Sequence, residues 1–113
     1  MQIIYHLARE RAWQEAGRTG TYQGAPEDRS DGFLHFSTAG QIVESAARHK
    51  AGQPDLVLLA VDADLLGAAL RWETSRGGAL FPHLYGDLPV NAVLWAKPLP
   101  LGPDGAHRFP PLA

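Results

Sequence analysis

The sequence contains no cysteine. Disulfides, thiolate metal sites and cysteine nucleophiles are thereby excluded, and no oxidising compartment is required. It has no surplus of one charge either, with 10 lysines and arginines against 12 aspartates and glutamates. A module that holds nucleic acid by bulk charge would carry a basic excess, so that partner class is set aside. No run approaches the roughly 18 apolar residues of a membrane span. The opening Met1-Gln2-Ile3-Ile4-Tyr5-His6 has no basic segment followed by a long apolar stretch. These absences predict no secretory signal, no membrane partner and a cytoplasmic location.

What is present is a chain of 113 residues, the size of one domain and long enough for a core without covalent staples. We take residues 1–113 as a single domain, with a core over 2–97 and an irregular tail over 98–113, where proline and glycine are frequent.

The most informative stretch is Asp31-Gly32-Phe33-Leu34-His35-Phe36-Ser37-Thr38. Asp31-Gly32 is a turn signal, and Phe33 to Phe36 favours a strand. Side chains alternate along a strand, so Phe33, His35 and Ser37 share one face. An imidazole inside an apolar run is explained either by a structural hydrogen bond or by a pocket that it lines. Thr38-Ala39-Gly40-Gln41 fits a capping box, which predicts a helix over Ala39–Ala51 capped by Thr38 or Ser37. Loss of that hydroxyl would cost about 1 kcal/mol. Free N–H groups at the helix start, beside His35, would suit an anion.

The remaining elements follow from periodicity. Gln2–Ala8 reads as a strand that carries His6 in an apolar setting. Arg9–Ala16 reads as a helix stopped by Gly17, and Ala25–Ser30 as a polar loop. Asp55–Asp62 is an apolar run without alternation, as expected of a central strand covered on both faces. Asp64–Ala69 suits a helical turn, and Leu70–Glu73 an extended piece. Leu80-Phe81-Pro82-His83-Leu84-Tyr85-Gly86 is a second dense motif, in which His83 and Tyr85 share a face if the segment is extended. Pro89–Lys97 reads as the last strand. The order predicts an α+β domain with two main helices against a bent or split, mostly antiparallel sheet.

Three pieces in this order and spacing, Ile4-Tyr5-His6, Gly32-Phe33-Leu34-His35-Phe36-Ser37-Thr38 with Gln41, and Phe81-Pro82-His83-Leu84-Tyr85-Gly86, resemble the bacterial and plant domain-of-unknown-function family 952. The resemblance spans nearly all of Ile3 to Lys97. It implies an ADP-ribosylation-like fold, the split-sheet architecture of toxin transferases and the tRNA 2′-phosphotransferase. By the same resemblance, His6 corresponds to a first-strand residue that contacts the ribose of NAD. His35, Ser37 and Thr38 correspond to positions that hold the nicotinamide ribose. Glu73 is the nearest counterpart of the transferase glutamate.

Together these residues define a candidate site. His6, His35 and Glu73 are the candidate catalytic residues, and Ser37, Thr38, His83 and Tyr85 the candidate ligand contacts. No metal is expected, because neither an HxH nor an HExxH spacing occurs. Ser37 lacks the Gly-x-Ser-x-Gly elbow of a serine nucleophile. Two functions are carried forward. One is an ADP-ribosyltransferase-like enzyme that uses NAD or a related nucleotide. The alternative is a catalytically silent small-ligand-binding domain on the same fold.

Overall fold

The apolar run from Leu56 to Val61 has no polar face to offer to water, and the fold covers it on both sides. The computed structural model describes residues 1–112. In chain order it contains β1 (Ile3–Arg9), α1 (Glu10–Thr19), β2 (Thr21–Tyr22), α2 (Pro26–Asp31), β3 (Leu34–His35) and α3 (Ile42–His49). There follow β4 (Leu56–Asp62), β5 (Leu70–Thr74), β6 (Leu80–Leu84), β7 (Leu88–Pro89) and β8 (Val93–Leu99). Short 3₁₀ turns link β4 to β5, β5 to β6 and β7 to β8.

One sheet has the order β1-β4-β8, with β4 in the centre. Ile4, Ala8, Val57, Leu59 and Val61 enter a core on one side with Tyr22, Phe36, Leu84 and Leu88. Tyr5, Leu56, Leu58, Ala60 and Leu99 pack on the other side with Ile42. Burial of both faces thus explains why β4 shows no alternation. A second sheet has the order β3-β6-β5, and β2 pairs with β7 in a short ribbon. Every strand pairing among the described residues is antiparallel. The two larger sheets meet at one backbone bridge. There the Tyr5 N–H donates to the Ser37 carbonyl at 2.8 Å, and the Ser37 N–H donates to the Tyr5 carbonyl at 2.9 Å.

The fold is therefore α+β and mostly antiparallel, but the described residues form three α-helices where the periodicity indicates two. The expected polar loop over Ala25–Ser30 is largely helix α2. Pro26 stands in its first turn, followed by the acidic Glu27 and Asp28, and Gly32 closes it in the left-handed conformation. The first helix does not stop at Gly17 but continues to Thr19, where Gly20, at φ 91°, caps it. The third helix starts at Ile42 rather than Ala39 and ends at His49. Neither Ser37 nor Thr38 caps it: Gln41 stands at the N-cap, with no side-chain cap bond. Gln41 still reaches back, its Oε1 accepting from the Thr38 N–H at 3.0 Å while its Nε2 donates to the Leu80 carbonyl at 2.9 Å. The Gln41 and Ile42 N–H groups both donate to the Thr38 carbonyl, so they are not free to meet an anion. The last strand begins after a 3₁₀ turn over Val90–Ala92 and runs to Leu99. Pro98 is tolerated there because β8 is an edge strand.

Gly24 sets the approach to α2. Its φ is +90°, and a Cβ there would lie 2.3 Å from Leu34 Cδ2 and 3.0 Å from Asp28 Cβ. Gly24→Ala is therefore expected to cost more than about 1 kcal/mol, from backbone strain and the push against Asp28 together. Urea unfolding measures it, and a midpoint equal to the parent's would contradict the assignment.

Candidate functional site

The polar chemistry is gathered on one face of the β3-β6-β5 sheet. His35 lies directly opposite His83, Arg71 opposite His83, and Glu73 opposite Phe81. Cross-strand neighbours share a face, so these side chains project to the same side. The rings of His35 and His83 meet edge to face, with centroids 5.7 Å apart. Phe33 stacks on His83 at 4.1 Å and lies 4.6 Å from His35, which restrains both imidazoles.

Each of these histidines has a carboxylate on its Nδ1. Asp28, buried on α2, accepts from His35 Nδ1–H at 2.6 Å and from the His35 backbone N–H at 3.1 Å. Its other oxygen accepts from the Ala25 N–H at 2.8 Å. Burial alone would raise the Asp28 pKa, but the bond from His35, the nearby His6 and the two backbone donors outweigh it and hold the carboxyl down at about 2. The bond to Asp28 pushes the His35 pKa up, with partial burial opposing and Asp31 assisting. Asp31 Oδ2 lies 3.0 Å from His35 Nε2. On the neighbouring strand, Glu73 Oε1 accepts from His83 Nδ1–H at 2.8 Å and from the Tyr85 hydroxyl at 2.7 Å. The Tyr85 and His83 donors hold the Glu73 carboxyl below its ordinary range, and Glu73 in turn raises the Tyr85 hydroxyl. Arg71 stands 4.8 Å over the Tyr85 ring.

His6 is engaged differently. Its Nδ1–H donates to the His35 carbonyl at 2.6 Å, which leaves Nε2 to accept from the Tyr22 hydroxyl at 2.9 Å. A carbonyl can only accept, so these partners define one neutral tautomer. Burial pushes the His6 pKa down, against the pull of Asp28, whose Oδ2 is 4.0 Å away. Tyr22 is raised, chiefly by its own burial.

These groups border a cleft of about 480 Å³ between the two sheets, closed on one side by α2 and α3. Its walls include His6, Asp28, His35, Ser37, Lys50 and His83. Ser37 Oγ is bonded to Ser45 Oγ at 2.9 Å, and Lys50 pairs with Glu27. Gln53 also borders the cleft, and its Oε1 is the one buried side-chain polar atom without a partner among the described residues. Of the residues singled out in the sequence, His6, His35, Ser37 and His83 converge here, whereas Thr38, Glu73 and Tyr85 are not part of the cleft wall. Glu73 and Tyr85 stand behind His83. Thr38 serves the turn before α3 through its backbone. Among the described residues, no group of three or more histidines, aspartates and glutamates could hold a metal ion. No helix in the described residues is long and apolar enough to cross a membrane.

Sequence reasoning missed Asp28, Asp31 and Lys50. A signal for Asp28 was present, because a proline followed by acidic residues marks the first turn of a helix, where a carboxylate reaches back to the preceding N–H. Nothing local connects that carboxylate to His35.

A family model described as "Protein of unknown function (DUF952)" matches residues 7–96. The crystal structure of protein CC0527 from Caulobacter crescentus is similar to this chain at 44% identity and a TM-score of 0.90, over 94% of this chain and 93% of that one. A double mutant of that protein gives 43% identity and the same TM-score of 0.90, over 94% and 93% of the two chains. Its solution NMR structure gives 45% identity and a TM-score of 0.82, over 94% and 91%. No curated protein matches the chain.

Proposed function

This chain belongs to the DUF952 family, and from the chemistry of its cleft we propose that it binds a small ligand carrying ribose and phosphate, the class that includes NAD and ADP-ribose. The observation that carries this reading is the Asp28–His35 pair, a buried carboxylate at 2.6 Å that favours the protonated imidazole on the wall of a ligand-sized cleft. An imidazolium donates charge-assisted hydrogen bonds to phosphoryl oxygens, and the Ser37 and Ser45 hydroxyls suit sugar hydroxyls. A split pair of antiparallel sheets agrees with the ADP-ribosyltransferase-like scaffold implied by the three sequence motifs, and that agreement supports a nucleotide over other polar ligands. The position of Glu73 favours binding over ADP-ribosyl transfer. Its carboxylate is committed to His83 and Tyr85, away from the cleft wall, where it cannot face a ribose held between His6 and His35.

Titration calorimetry of the full chain with NAD, ADP-ribose and AMP tests this reading. Saturable binding of at least one of them is expected. At 100 times its dissociation constant, that ligand stabilises the fold by about 2.7 kcal/mol. His35→Ala should weaken the binding about tenfold or more, the worth of one charge-assisted bond. A parent protein that binds none of the three at millimolar concentration would refute the reading.

A further inference from the structure

Two histidines that border the cleft are each backed by a carboxylate. In each, the carboxylate sits on Nδ1: Asp28 on His35 at 2.6 Å and Glu73 on His83 at 2.8 Å. The histidines are directly opposed across β3 and β6, their rings are 5.7 Å apart, and both border the cleft. A carboxylate on Nδ1 fixes the ring and its tautomer and leaves Nε2 as the working nitrogen. Sheet register thus sets the two rings side by side, each backed by its own anion. His6 spends both nitrogens on buried partners, whereas the second nitrogen of His35 meets only the exposed Asp31 carboxylate.

We infer that His35 and His83 act as a general acid–base pair in the hydrolysis of a phosphodiester, with Asp28 and Glu73 as positioning residues behind them. The inference rests on the reading above that the cleft takes a ligand bearing ribose and phosphate. His83 Nε2 removes a proton from water, whose oxygen forms a new bond to phosphorus. The bond from phosphorus to the leaving oxygen breaks, its electron pair stays on that oxygen, and His35 Nε2–H supplies the proton. The products are a phosphomonoester and an alcohol. Proton exchange with solvent restores both rings, and water is the only co-reactant.

The surroundings select this class of substrate. Ser37 Oγ is tied to Ser45 Oγ, and the attacking nucleophile is taken to be water. The working nitrogen of His35 already holds an anion, the exposed Asp31 carboxylate at 3.0 Å. That surface side chain marks where an anionic phosphoryl oxygen would bind once Asp31 swings aside.

The probe is adenosine 2′,3′-cyclic phosphate, followed by phosphorus NMR for ring opening and by calorimetry for binding, on the full chain. The parent is expected to open the ring. His35→Ala and His83→Ala should each lower kcat by about 100-fold or more, the range of general acid–base catalysis. The double variant should lose little beyond either single one, because the two groups act as a unit. Glu73→Gln, at a half-exposed position, should lower kcat with KM and melting temperature unchanged, a split that a purely structural role does not produce. Asp31→Asn should lower KM. A parent that binds the cyclic nucleotide but leaves the diester intact overturns the acid–base inference and leaves the binding reading standing. Failure to bind this probe, NAD, ADP-ribose and AMP alike removes both. Full kcat in the Glu73→Gln variant overturns the paired-carboxylate arrangement.

Discussion

Asp28→Ala is expected to remove about 3 kcal/mol of folding stability, because one buried carboxylate serves three donors at once. It accepts from the Ala25 N–H, the His35 N–H and His35 Nδ1–H, and only 4% of it is exposed. Truncation leaves two backbone donors beside an apolar gap. Asp28→Asn keeps an acceptor for them but loses the charge, so a smaller loss is expected. The pH dependence has a definite sign. The folded pKa, near 2, lies below the ordinary 3.8, so the contribution is complete above 3.8 and is lost as pH falls toward 2. That limb is worth about 2 kcal/mol in the parent and should vanish in the alanine variant. The raised pKa of His35, due first to its bond with Asp28, works in the opposite direction. Its contribution is present below 6.5 and fades as pH rises through the folded value. Urea unfolding across pH measures both limbs. An alanine variant within about 1 kcal/mol of the parent, or one that keeps the acid limb, would show that Asp28 is not the centre of the network.

His6→Ala should cost about 3–5 kcal/mol, as the sum of a cavity and two orphaned partners. His6 is 3% exposed, packed 5.2 Å from the Tyr22 ring and 5.3 Å from Phe36, and it bridges the Tyr22 hydroxyl to the His35 carbonyl. Through that carbonyl it joins β1 of one sheet to β3 of the other, so its loss loosens the seam in which the cleft lies. Burial lowers its pKa, and its stabilising contribution is therefore complete above 6.5 and declines as pH falls below it toward the folded value. The variant should lose this neutral-to-acid decline together with its stability. A stable His6→Ala protein that had lost only ligand binding would instead make His6 a contact residue and not part of the frame.

The two largest expected effects fall on residues that differed greatly in legibility. His6 stood out as an ionisable ring in an apolar strand, and Asp28 lay in a stretch that read as a polar loop. The reason is energetic. Helix α2 has only six residues, Pro26–Asp31, too few to be stable by propensity. It is held by the bonds of Asp28 to Ala25 and His35, and those depend on β3 being in place. The start of α3 was misplaced for a related reason. Gln41 made its capping-box contact to the Thr38 N–H, but its amide also reaches the Leu80 carbonyl on β6, and the chain stays in a turn until Ile42.

By itself, the sequence determined what periodicity and polarity control. The alternation-free run of Leu56–Val61 required a strand covered on both faces, and β4 is that strand. The imidazoles of His6, His35 and His83 in apolar settings marked three places where an ionisable ring calls for a partner, and of these His6 and His83 are buried while His35 is exposed. Tertiary structure alone decided who those partners are. The register of β3 on β6 puts His35 opposite His83, the β5–β6 register brings Glu73 to His83 rather than to the cleft, and α2 delivers Asp28 to His35. Local sequence cannot carry these assignments. Spacing along a strand sets which face a side chain takes, but the distance between two side chains on different strands depends on pairing that the whole core selects.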